Sequence, residues 1–65
     1  MIEDYIKDRL ENGPMDVHEL INEAVDFLEE DKSIVDDIVE RMQDDGIIEI
    51  YQEMDVFMAR LIEED

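Results

Sequence analysis

Ser33-Ile34-Val35-Asp36-Asp37-Ile38-Val39-Glu40-Arg41-Met42-Gln43-Asp44-Asp45-Gly46-Ile47-Ile48-Glu49-Ile50-Tyr51, followed by Gln52-Glu53-Met54-Asp55 and Val56-Phe57-Met58-Ala59-Arg60-Leu61-Ile62, decides the fold. Ile34, Val35, Ile38, Val39 and Met42 recur at the i, i+1, i+4, i+5, i+8 spacing. On a helix of 3.6 residues per turn these positions share one side, so 33–44 is predicted as an amphipathic helix facing a core. Ser33, with Asp36 three residues on, makes a capping-box-like start. Gly46 makes the stop, because glycine accepts the left-handed conformation that closes a helix. Residues 47–51 and 56–62 are rich in β-branched and aromatic side chains and alternate between two faces. They are predicted as two strands of a hairpin, with Gln52-Glu53-Met54-Asp55 as its polar tip.

Upstream, Ile2, Tyr5, Ile6 and Leu10 mark a first helix over about 2–11. Glu3 and Asp4 lie in its first turn, where the helix dipole favours acids. Asn12-Gly13-Pro14 ends it, since proline cannot continue a helix. Met15 is predicted as an extended residue that adds a short strand to the hairpin sheet. Asp16 and Glu19 have capping-box spacing and open a second helix over about 17–29. Its apolar set is Val17, Leu20, Ile21, Ala24, Val25 and Leu28, with Phe27 adjacent. Glu29-Glu30-Asp31-Lys32 is then a charged linker, and Glu63-Glu64-Asp65 a frayed end. Residues 1–65 thus read as a single α+β domain of three helices and a C-terminal hairpin.

Composition narrows the function. A chain of 65 residues buries only about 60% of its unfolded surface and has no room for a deep cleft between lobes. No cysteine is present, which excludes disulfides and thiolate metal sites. No apolar run approaches a membrane span, and the N-terminus lacks the basic start of a signal peptide, so a cytoplasmic location is expected. The formal net charge is −17, from 22 acids and 5 bases spread over every segment. Such a field repels phosphate backbones and favours basic protein surfaces. It also accords with adaptation to a salty cytoplasm, although a chain with no threonine and two alanines departs from the Ala- and Thr-rich profile expected there.

Catalytic chemistry finds little support. His18 is the only histidine and Ser33 the only serine, and Ser33 has a capping role, so a nucleophile–base pair is not expected. Carboxylate pairs occur everywhere and single out no acid–base couple. A calcium loop needs glycine at its sixth position. Starting at Asp31 puts Asp36 there, and aligning Gly46 puts Arg41 first, so neither register fits. No enzyme activity, cofactor or metal is expected.

Two helices joined by a short polar turn, then a hairpin, resemble a winged helix-turn-helix domain. In DNA-binding use, the second helix of the motif enters the major groove with Arg, Lys, Asn and Gln. Here its outward residues are Asp36, Asp37, Glu40, Arg41, Gln43 and Asp44, and the tip carries Glu53 and Asp55. That surface is unsuited to duplex DNA. The segments Met15 to Ala24, Ser33 to Met42 and Asp45 to Tyr51 resemble the C-terminal winged-helix domain of archaeal minichromosome maintenance helicases. The resemblance implies a non-catalytic regulatory appendage that contacts proteins and has little DNA affinity.

The function expected is therefore an acidic module for protein interaction or regulation in DNA replication or transcription. Its partner would be a protein with a basic surface. The candidate partner-binding residues are Asp36, Asp37, Glu40, Arg41, Tyr51 and Met54. A homodimer is compatible with this reading. The rivals are a small dimeric winged-helix regulator that binds DNA, and an inhibitor whose carboxylates mimic DNA phosphates.

Overall fold

Apolar spacing produces the expected helices and strands, with ends set by local caps. The computed structural model describes Ile2 to Ile62. In chain order the elements are α1 (Ile2–Leu10), β1 (Met15–Asp16), α2 (Val17–Leu28), α3 (Lys32–Asp44), β2 (Ile48–Glu53) and β3 (Val56–Leu61). The three strands form one antiparallel sheet in the order β1-β3-β2. The expectation of a frayed end at 63–65 lies outside the described residues.

Several boundaries differ from those expected, each for a local reason. α1 stops at Leu10, and a turn carries Glu11 to Gly13, whose N–H donates to the Leu10 carbonyl at 3.1 Å. α2 stops at Leu28, because Glu29 turns left-handed at φ 54 and the Glu30 N–H reaches back to the Val25 carbonyl at 3.3 Å. Ser33 is not the cap of α3. Asp31 holds that position, with extended backbone and no side-chain capping bond, so Ser33 falls inside the first turn. The cap of α2 is the expected one: the Asp16 carboxylate accepts from the Glu19 N–H at 3.1 Å.

The junction from α3 to β2 is a Schellman closure. Gly46, at φ 77, lets its own N–H donate to the Gln43 carbonyl at 3.1 Å, and the Ile47 N–H donates to the Met42 carbonyl at 2.9 Å. Both bonds satisfy carbonyls that the helix end would otherwise leave open. Ile47 then precedes the strand rather than beginning it.

The hairpin tip is shorter than expected. Gln52 and Glu53 belong to β2, Glu53 faces Val56, and Met54-Asp55 alone make the turn. Met54 has φ 58, at the first position of a two-residue loop, where type II′ turns place glycine. Its side chain is 91% exposed, so it gains nothing from packing there. Met54→Gly is expected to raise stability by about 0.5 to 1 kcal/mol, because relief of the left-handed strain exceeds the extra chain entropy of glycine. A rise in the urea midpoint at unchanged slope would show it; a fall would mean that the Met54 side chain holds the tip.

The core lies where the three helices meet the inner face of the sheet. Ile6 and Leu10 from α1, Leu20, Ile21 and Ala24 from α2, and Val35, Val39 and Met42 from α3 are buried with Ile48 and Ala59 of the sheet. Ile50 pairs with Ala59, and Ile48 with Leu61, so this face carries the residues of one alternation. One residue of the expected core stripe, Ile34, lies outside, and so does Phe27 at the margin of the α2 stripe. Ile34 is 43% exposed and Phe27 is 71% exposed. Ile34 sits in the first turn of α3, on the solvent side of the Val35-Val39-Met42 stripe. Phe27 lies across the outside of the α1–α2 junction, stacked on Tyr5 with ring centroids 4.9 Å apart and planes at 18°.

Candidate functional site

α3 presents its face opposite the core to solvent. With Val35, Val39 and Met42 turned inward, helical geometry turns Asp37, Glu40, Arg41 and Asp44 outward. These four and Asp45 border one shallow surface depression. Asp37, Glu40 and Arg41 are thus brought together as expected. Asp36, one turn before Glu40, does not border the depression; it is half-buried and accepts from Lys32 Nζ at 2.9 Å, one turn earlier. Asp45 completes the depression and was not among the expected site residues. Its spacing of i+8 from Asp37 is the signal that identifies it.

Tyr51 and Met54 lie elsewhere. Tyr51 is half-buried on the outer face of β2, where the Arg60 guanidinium carbon sits 5.8 Å from its ring centroid. Arg60 and Glu49 face each other across the ladder, and Arg60 Nε donates to Glu49 Oε1 at 2.6 Å. Met54 projects from the turn, beside Val56 at 40% and Phe57 at 51% exposure. Among the described residues, no hydrogen bond, ion pair or depression joins Tyr51 or Met54 to the carboxylates of α3. The six residues therefore divide between an acidic helix face and a partly apolar hairpin. Val56 was missed because strand alternation assigns a face but does not say where the helices stop covering it.

Pairing of the cations sharpens the field. Arg9 is bound to Glu23, Lys32 to Asp36 and Arg60 to Glu49. Arg41 and Lys7 form no ion pair among the described residues. Among the described residues, Arg41 is the only cation that borders the depression with its four carboxylates. His18 and Ser33 are both exposed, near the starts of different helices, and no hydrogen bond links them among the described residues. No group of three or more His, Cys, Asp or Glu among the described residues is placed to hold a metal ion. Among the described residues, no helix is long and apolar enough to cross a membrane.

A scan against family models finds no match, and searches of curated proteins and of solved structures find none either.

Proposed function

We propose that the chain is an acidic, non-catalytic winged-helix module that docks on a basic surface of a partner protein and does not read duplex DNA. The element order and the β1-β3-β2 sheet are compatible with a winged helix. On this reading β2 and β3 are the wing and α3 is the second helix of the helix-turn-helix. Regulation within DNA replication or transcription, as an appendage of the kind found on archaeal minichromosome maintenance helicases, is the specific form that the sequence resemblance supports.

One observation carries the reading. The α3 face that would enter a major groove sets Asp37, Glu40, Asp44 and Asp45 against the single cation Arg41. Duplex DNA carries one negative charge per about 1.7 Å of axis, so this face repels it, whereas a lysine- or arginine-rich protein surface is drawn in.

The test combines protein capture with a DNA titration. The immobilised chain is expected to retain a defined protein from native extract at moderate salt and to leave a duplex unshifted at low salt. Reversing Asp37, Glu40 and Asp44 to Lys is expected to weaken capture by about tenfold or more, as removal of complementary interfacial charges does, with the circular dichroism unchanged. A salt-sensitive duplex shift by the unaltered chain, without protein capture, would overturn the proposal in favour of a dimeric DNA-binding regulator.

A further inference from the structure

The free edge of the sheet deepens this reading. Among the described residues, β2 has a hydrogen-bonded neighbour on one side only, because β3 lies between it and β1. The Ile62 N–H donates to the Ile47 carbonyl at 2.9 Å, and the register continues unbroken from Ile48↔Leu61 to Glu53↔Val56. In an antiparallel ladder, bonded and non-bonded pairs alternate. Glu49, Tyr51 and Glu53 therefore spend their backbone groups on β3, while Ile48, Ile50 and Gln52 turn theirs toward the open edge. Natural sheets blunt such edges with proline, lysine, bulges or a covering element. Here the six-residue strand has no bulge, proline or lysine.

We infer that the open edge of β2 accepts an extended, basic segment of the partner protein as a fourth antiparallel strand. This rests on the proposed function and names its contact. An added strand donates to and accepts from the backbone at Ile48, Ile50 and Gln52. Its alternate side chains fall beside Glu49, Tyr51 and Glu53 on the outer face, where Arg60 already bonds Glu49 and lies over Tyr51, so an incoming lysine or arginine meets the Glu53 carboxylate and shares that of Glu49. The other side chains extend the inner face beyond Ile48 and Ile50 and are apolar. Charge selects this occupant over a second copy of the chain, since each copy carries −17 and edge pairing would bring the two fields together.

The probe is an acetylated, amidated peptide that alternates lysine and valine over the length of β2, compared with the same peptide N-methylated at its valines. The valines oppose Ile48, Ile50 and Gln52, so methylation removes the ladder bonds and keeps every charge. Amide exchange and chemical shifts are followed by NMR at low salt. The unmethylated peptide is expected to protect the Ile48, Ile50 and Gln52 amides, and methylation to weaken binding by about tenfold or more. Gln52→Pro, at an exposed position whose N–H lies outside the β2–β3 ladder, is expected to weaken it similarly. Equal binding of both peptides, with shifts at Asp37, Glu40 and Asp44, would overturn strand addition and leave the basic-partner reading standing. Absence of binding by either peptide would overturn strand addition and count against that reading too. Concentration-dependent protection of the same amides without peptide would replace the partner by a second copy.

Discussion

Leu20→Ala is expected to remove a third or more of the stability of the fold, read as a sharply lowered urea midpoint by circular dichroism. Leu20 is fully buried in the cluster that joins all three helices to Ile48 and Ala59. Truncating such a leucine costs about 3 to 5 kcal/mol, from lost transfer free energy and the cavity left behind. Domains hold roughly 0.05 to 0.15 kcal/mol per residue, or about 3 to 10 kcal/mol for a chain of this length. The substitution therefore removes a third of the stability or all of it. Leu28→Ala, at a half-buried position of the same helix, is expected to cost clearly less. Equal losses at the two sites would mean that the packing around Leu20 collapses into the space.

Raising sodium chloride from about 0.1 M to about 1 M is expected to increase the melting temperature by roughly 15 °C. The described residues carry 19 of the 22 acids and all five bases, a formal charge of −14, within a Cα radius of gyration of 11.0 Å, whereas the unfolded chain spreads its charge over about 24 Å. Screening lengths fall from about 10 Å to about 3 Å over that salt range. The repulsion relieved is greater in the folded state, by about 3 kcal/mol, and each kcal/mol moves the melting temperature of so small a domain by about 4 to 8 °C. Sucrose, which strengthens burial without screening, is the control. A melting temperature indifferent to salt would mean that ion pairing and bound counter-ions already neutralise the acids.

Much of the architecture was legible in the residues, because it rests on periodicity and on a few strong local signals. The Val35-Val39-Met42 stripe, the glycine at 46 and the capping spacing of Asp16 and Glu19 each act over a few residues and reappear as geometry. Errors arose where two local solutions compete. Asp31 and Ser33 are both acceptable starts for α3, and the helix takes the earlier one. The tip of the hairpin was read from its polarity, but register decides it: with Glu53 opposite Val56, two residues suffice. Of the candidate site, the grouping of Asp37, Glu40 and Arg41 follows from helical spacing alone. The separation of Tyr51 and Met54 from them is tertiary and leaves no trace in spacing. Phe27 was ambiguous for a related reason, since an aromatic at the margin of an apolar stripe packs inward or stacks outward according to its neighbour. Here the neighbour is Tyr5, on another helix.

Asp16 belongs to two structures at once. Its backbone pairs with Met58 at the outer side of the sheet, and its carboxylate holds the first turn of α2 through Glu19. Opening of β1 from β3 and fraying of the start of α2 thus become one event, without a loop between them to absorb the motion. A disturbance arriving on β3 is passed through a single residue into the helix that carries Leu20. In so small a molecule this makes the sheet a lever on the core, and cooperativity is enforced by chain connectivity before packing contributes.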